Sequence, residues 1–231
     1  MMIDRHDVHD AEGVRPLQGR GLTPWVKICG MTNLEDALVA AQAGADAVGF
    51  IFVPTSPRAV ARNEVEEILA ALPSSTQAVG VVADESPEFL KGLLRVCPFK
   101  GLQFHGDEPP EEVLRFKGEV RLIKAIRVKG PKDLERIPRY QGVDAVLLDT
   151  HRPGRMGGTG ESFDWKLAQE AKQFGIPIIV AGGLSPQNVA DCIRQAQPYG
   201  VDVVSGVERS PGKKDPSLVR EFILNSQQAH F

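Results

Sequence analysis

Apolar residues in this chain fall into two kinds of run, and the two kinds alternate. The first kind is four to six residues long, nearly continuous and rich in Val and Ile. It covers Trp25–Cys29, Ala47–Phe52, Ala78–Ala83, Gly101–Phe104, Arg121–Ile126, Ala145–Leu148, Ile176–Ala181 and Val201–Val204. Such runs are expected of parallel strands covered on both faces. The second kind recurs at helical spacing. Leu34, Ala37, Leu38 and Ala41 follow i, i+3, i+4, i+7, with Thr32 and Glu35 spaced as a capping box in front and Gly44 as a stop behind. Further helices are predicted over Glu64–Leu72, Pro87–Val96, Pro110–Phe116, Asp133–Tyr140, Asp164–Phe174, Pro186–Ala196 and Pro216–Ser226. Asp215 is placed to cap the last of these, with Pro216 at its first position.

Eight strands alternating with eight helices, at about 25 residues per unit, predict one closed (β/α)8 TIM barrel. An open doubly wound sheet is the alternative, and the even units favour closure. An echo recurs where strands begin, as GADAV at 44–48, GVDAV at 142–146 and GVDVV at 200–204. It reads as a repeated helix-to-strand turn. The first 22 residues are polar, and residues 1–23 are read as a loose, flexible N-terminal extension, with 24–231 as the barrel.

Composition narrows the function. The 231 residues are 42% hydrophobic and 25% charged, with net charge −3 and a pI near 6.0. That balance argues against a nucleic-acid surface. No run approaches the ~20 apolar residues of a membrane span, and the N-terminus has no apolar signal-peptide core. Cys29, Cys97 and Cys192 are far apart and odd in number, which argues against a disulfide framework or zinc site and for a reduced cytoplasm.

Candidate chemistry follows from where a barrel carries its site, at the C-terminal ends of the strands. Cys29 ends strand 1 and Asp149 ends strand 6, so a thiol and a carboxylate face one mouth as a candidate base and acid. The plainer alternatives are a small buried hydrophobe and a turn cap; Cys97 and Cys192 are given the plain reading. Strand alternation puts Lys27 on the side of Cys29, and closure puts Asp202 of strand 8 beside it. The pair is expected under the site, tuning the thiol, unless Lys27 snorkels outward. Three glycine-rich turns follow the last strands: Gly157–Gly160, Gly182–Gly183 and Ser205–Gly206. They suit a phosphate held by backbone amides, with tight turning alone as the alternative. Arg58 and His105 sit in mouth loops, and Arg58 has the planar fork that suits a substrate carboxylate. Lys213 and Lys214 read as solvated surface charge.

Together these residues resemble the phosphoribosylanthranilate isomerase family of tryptophan biosynthesis. The resemblance spans 25 to about 224 through VKICGMTNLEDA, GADAVGFIF, SPR, VGVVAD, LQFHGDE, IKAI, LLDT, GGTGESFDW, AGGLSPQNV and VDVVSGVERSPGKKD. It implies a (β/α)8 barrel performing an Amadori rearrangement of N-(5-phosphoribosyl)anthranilate without metal or cofactor. It also implies Cys29 as general base, Asp149 as general acid, Arg58 near the anthranilate carboxylate, and Gly182, Gly183, Ser205 and Gly206 as phosphate clamp. His105 and Asp202 fit the family pattern as mouth residues, expected to bind substrate. The implied partner is a small phosphorylated substrate, handled by a monomer or homodimer in the cytoplasm. Two rivals remain: the histidine-pathway isomerase, whose family base is an aspartate where this chain has Cys29, and a non-catalytic phosphate-binding barrel.

Overall fold

The computed structural model describes residues 23–149 and 165–229. Eight parallel strands close into a barrel in chain order. They are β1 Trp25–Cys29, β2 Ala47–Ile51, β3 Gln77–Val82, β4 Gly101–Phe104, β5 Arg121–Arg127, β6 Ala145–Asp149, β7 Ile178–Ala181 and β8 Gly200–Val203. Closure sets Trp25 against Gly200 and Lys27 against Asp202. The connecting helices are α1 Leu34–Gln42, α2 Arg62–Ala71, α3 Pro87–Val96, α4 Pro110–Leu114, a 3-10 helix Pro131–Tyr140, α5 Lys166–Ala171, α6 Val189–Ala196 and α7 Pro216–Gln228. The expected (β/α)8 barrel is the fold. The expected extension up to residue 22 and the glycine turn at 157–160 lie outside the described residues.

Successive strand residues point to opposite faces. Outward residues such as Ile28, Val48, Leu122 and Leu148 pack against the helices, while Trp25, Ala47, Val79, Ile123, Ala145, Leu147 and Ile179 fill the barrel. The many small inner residues leave room for Trp25 and Lys27. Gly200 is held to glycine by this packing, since a Cβ there would lie 2.6 Å from the Trp25 carbonyl oxygen.

The recurring GxDxV element has two uses. Asp46 and Asp144 precede β2 and β6 and grip the previous strand with both backbone and side chain. Asp46 Oδ2 accepts from Val26 N at 2.9 Å, and Asp144 Oδ2 from Leu122 N at 2.8 Å. In the third copy the strand begins three residues sooner, at Gly200. Asp202 therefore lies within β8 and points into the barrel, where Lys27 meets it.

Four local expectations are corrected. The cap of α1 is Asn33, not Thr32: Asn33 Oδ1 accepts from Asp36 N at 2.9 Å, and the Thr32 hydroxyl donates to Gly212 O at 2.5 Å. The helix before β6 is 3-10 and contains Pro138, which lacks the N–H an α-helical interior needs. β7 begins at Ile178, after Pro177, which cannot donate to the ladder. The stretch after β8 is solvated at Lys213, as expected, but not at Lys214. It folds as a two-strand hairpin, β9 Glu208–Ser210 and β10 Lys213–Lys214, in which Lys214 is 1% exposed.

Candidate active site

At the C-terminal rim a cavity of about 220 Å3 opens between the ends of β2, β4, β6, β7 and β8. Of the residues singled out in the sequence, Arg58, His105, Asp149, Gly182, Gly183, Asp202 and Ser205 line it. Gly206 follows Ser205 in the same loop.

Cys29 is the exception. It is 2% exposed and is not among the lining residues, so the expectation that it looks directly into the mouth is corrected. Register explains its depth. Cys29 is level with Gly49, and the inward position beyond Gly49 on β2 is Ile51, which does line the cavity. The sulfur occupies the space left by the glycine, since a Cβ on Gly49 would lie 2.5 Å from Sγ. Beside it is the predicted buried pair, with Lys27 Nζ 2.7 Å from Asp202 Oδ1 and both side chains nearly inaccessible. Burial pulls against the Lys27 ammonium, but Asp202 and Cys29 outweigh it and hold its pKa above the ordinary lysine value. Burial pushes the Cys29 thiol up; Lys27 and, more weakly, Lys214 pull it down, and Asp202 adds to the rise. The net shift is upward, so the tuning leaves the thiol less acidic than an ordinary one. Cys97 and Cys192 fit the plain reading: both are fully buried, and burial pushes Cys192 up to about 12.

Lys27→Met tests the tuning directly. It should lower stability by about 3–5 kcal/mol by leaving the Asp202 carboxylate buried alone. It should also move the thiol titration further up, because Lys27 is the strongest group pulling it down. Denaturant unfolding and the ultraviolet titration of the thiolate read the two effects. An unmoved thiol would remove Lys27 from the account.

Across the mouth, Asp149 ends β6 and meets His105 from the loop after β4. His105 Nε2 and Asp149 Oδ2 are 3.0 Å apart, and His105 Nδ1 lies 2.9 Å from Gln103 Nε2. The loop that carries His105 is fixed from below by Lys124, fully buried in β5. Its Nζ donates to Gly106 O at 2.7 Å, Phe104 O at 3.3 Å and Glu108 Oε2 at 2.6 Å.

Arg58 closes its fork on a partner that the sequence reading missed. Its Nε and Nη2 donate to the Glu208 carboxylate at 2.9 and 2.6 Å. Lys214 Nζ reaches the same carboxylate at 3.1 Å and donates to Cys29 O at 2.6 Å and Val204 O at 3.1 Å. Burial pushes the Glu208 carboxyl up, but these two cations hold it below the ordinary glutamate value. The hairpin thus ties the end of β1 to the end of β8. The motif SGVERSPGKKD contains both residues, but its polar sequence does not mark them as buried.

The β7 and β8 loops meet at the cavity wall. Gly182 and Gly183 have φ of +79° and +68°, which favour glycine. A Cβ on Gly206 would lie 1.9 Å from Leu184 O, so the two loops touch through the bare glycine.

Residues 26–225 match the profile of the family described as N-(5'phosphoribosyl)anthranilate (PRA) isomerase. The N-(5'-phosphoribosyl)anthranilate isomerase of Trichlorobacter lovleyi is 48% identical over 204 residues, covering 88% of this chain and 98% of that protein. That of Geobacter sulfurreducens is 49% identical over 202 residues, covering 87% and 98%. Among solved structures, phosphoribosyl anthranilate isomerase from Thermotoga maritima superposes with a TM-score of 0.83 at 40% identity, covering 88% and 98%. A phosphoribosyl anthranilate isomerase in complex with reduced 1-(o-carboxyphenylamino)-1-deoxyribulose 5-phosphate gives 0.80 at 37% identity, with the same coverage.

Proposed function

The chain belongs to the phosphoribosylanthranilate isomerase family, and from that premise we propose how its own residues divide the work of the reaction. The activity is the rearrangement of N-(5'-phosphoribosyl)anthranilate to 1-(2-carboxyphenylamino)-1-deoxyribulose 5-phosphate in tryptophan biosynthesis. Asp149, at the rim beside His105, protonates the furanose ring oxygen as the C1'–O4' bond breaks, leaving a Schiff base and a free hydroxyl. Cys29 as thiolate then takes the C2' proton, and the enolamine tautomerises to the ketone. No metal or cofactor enters this scheme.

The observation that carries the reading is the cavity itself, which Asp149, Asp202 and the β7 and β8 glycine loops line together. Those loops, through Gly182, Gly183, Ser205 and Gly206, are read as the phosphate clamp. Arg58 offers the anthranilate carboxylate Nη1, the edge that Glu208 does not use. His105 and Asp202 contact the ribose. A thiol pushed up by burial makes a scarce but strong base, so the rising limb of the kcat/KM pH profile is expected at or above the ordinary thiol value of 9.0, not below it. All these groups lie on one chain, so one copy is a complete site, as a monomer or within a homodimer. No helix among the described residues is long and apolar enough to cross a membrane, and the three free cysteines suit the cytoplasm.

Gly206→Ala tests the clamp. Its Cβ must displace the Leu184 carbonyl, and kcat/KM is expected to fall on the order of 10²-fold, mostly through KM. A wild-type KM would separate the clamp from this loop. The function is tested by following the fluorescence of N-(5'-phosphoribosyl)anthranilate with the purified chain, beside the larger histidine-pathway substrate. Rapid conversion of the first and not the second is expected. Turnover of neither would favour a binding barrel.

A further inference from the structure

The partner on the far side of His105 points to one more role. Gln103 is two residues before His105, on the same side of the strand line, and is 1% exposed. Its Nε2 faces His105 Nδ1 at 2.9 Å, and its Oε1 is buried with no hydrogen-bond partner among the described residues. An unpaired buried acceptor works against stability, so a side chain kept on those terms calls for a reason. An amide NH2 can only donate. Facing Nδ1, it requires a lone pair there, so the one proton of a neutral imidazole sits on Nε2, directed at Asp149 Oδ2 3.0 Å away.

We propose that Gln103 is a positioning residue for the acid step: it holds His105 as the neutral Nε2–H tautomer, so that Asp149 faces a hydrogen-bond donor and not an imidazolium cation. The inference rests on the reading of Asp149 as the acid. An imidazolium at this distance would favour the ionised carboxylate, which has no proton to give. A neutral N–H leaves Asp149 able to carry its proton and then supports the carboxylate formed when the proton moves to the ring oxygen. The other charges around the ring are consistent with this. Asp202 lies on the floor from β8. Arg127 of β5 donates to the His105 carbonyl at 3.4 Å, and Lys124, paired with Glu108, reaches the carbonyls on either side. Both cations bond backbone oxygens, not the imidazole.

Two-bond nitrogen–proton NMR near neutral pH, with the His105 signals assigned by their loss in His105→Asn, reads the tautomer in the wild-type protein. A proton on Nε2 and none on Nδ1 is expected. Gln103→Glu turns the facing group into an acceptor, calls a proton to Nδ1, and should lower kcat by about 10–100-fold with KM within about threefold. Gln103→Met removes the constraint and the unpaired oxygen together, so kcat should fall about tenfold without a fall in Tm. A wild-type proton on Nδ1, or wild-type kcat in both variants, would overturn the proposal. So would a loss of kcat that simply tracks a loss of Tm. If Asp149→Asn itself turned over normally, the acid assignment would fail instead, and the tautomer would still be read independently.

Discussion

Cys29→Ala should lower kcat by about 10²–10⁴-fold while changing KM only a few-fold. Cys29 ends β1, level with Gly49 and flanked by Lys27, Asp202 and Lys214, so three charged side chains bear on one sulfur. The alanine side chain is smaller and apolar and vacates the space beside Gly49 that the sulfur fills, a small void whose cost is read in Tm. What disappears is the group able to take the C2' proton. The proposed phosphate and carboxylate contacts lie on other loops, which is why KM should hold. Stopped-flow turnover with saturating substrate, together with Tm, separates the lost base from a disturbed fold. Near-normal kcat in Cys29→Ala would remove the thiol from the mechanism.

Asp149→Asn should have an effect of similar size, for a different reason. The amide keeps the shape of the carboxyl but cannot deliver a proton to the ring oxygen. It also changes what meets His105 Nε2 at 3.0 Å, since an amide NH2 turned toward that nitrogen would no longer accept its proton. The loss is expected in kcat, again on the order of 10²–10⁴-fold. A substrate analogue already open to the Schiff base would bypass the acid step and recover turnover in Asp149→Asn but not in Cys29→Ala. Rescue in both variants, or in neither, would contradict the division of labour.

Much of this arrangement could be read along the chain because it depends on periodicity. Continuous apolar runs alternating with helical ones gave eight strands, and closure of eight strands brings residue 27 beside residue 202. The 2.7 Å contact between Lys27 and Asp202 follows from alternation plus closure, two rules that act on the backbone. Depth does not follow from those rules. Alternation says that Cys29 points inward; it does not say how far below the rim the sulfur lies, which depends on strand register and on Gly49 next door. Lys214 was misread for a related reason. A lysine in a short polar stretch is usually solvated, and the partners that bury this one, Glu208, Cys29 O and Val204 O, are assembled by a hairpin with little apolar signal. The fork of Arg58 was read as suited to a substrate carboxylate, and the carboxylate it grips in the structure is the chain's own Glu208.

The depth of Cys29 makes one measurement decisive: the crystal structure of this chain with reduced 1-(o-carboxyphenylamino)-1-deoxyribulose 5-phosphate, the ligand held by one of its structural relatives. The account predicts the phosphate at the Gly182–Gly183 and Ser205–Gly206 loops, with Asp149 and the Cys29 sulfur on either side of the sugar chain and the sulfur about 3–3.5 Å from C2'. A ligand seated there with the sulfur still walled off behind Ile51 and Asp202 would contradict it.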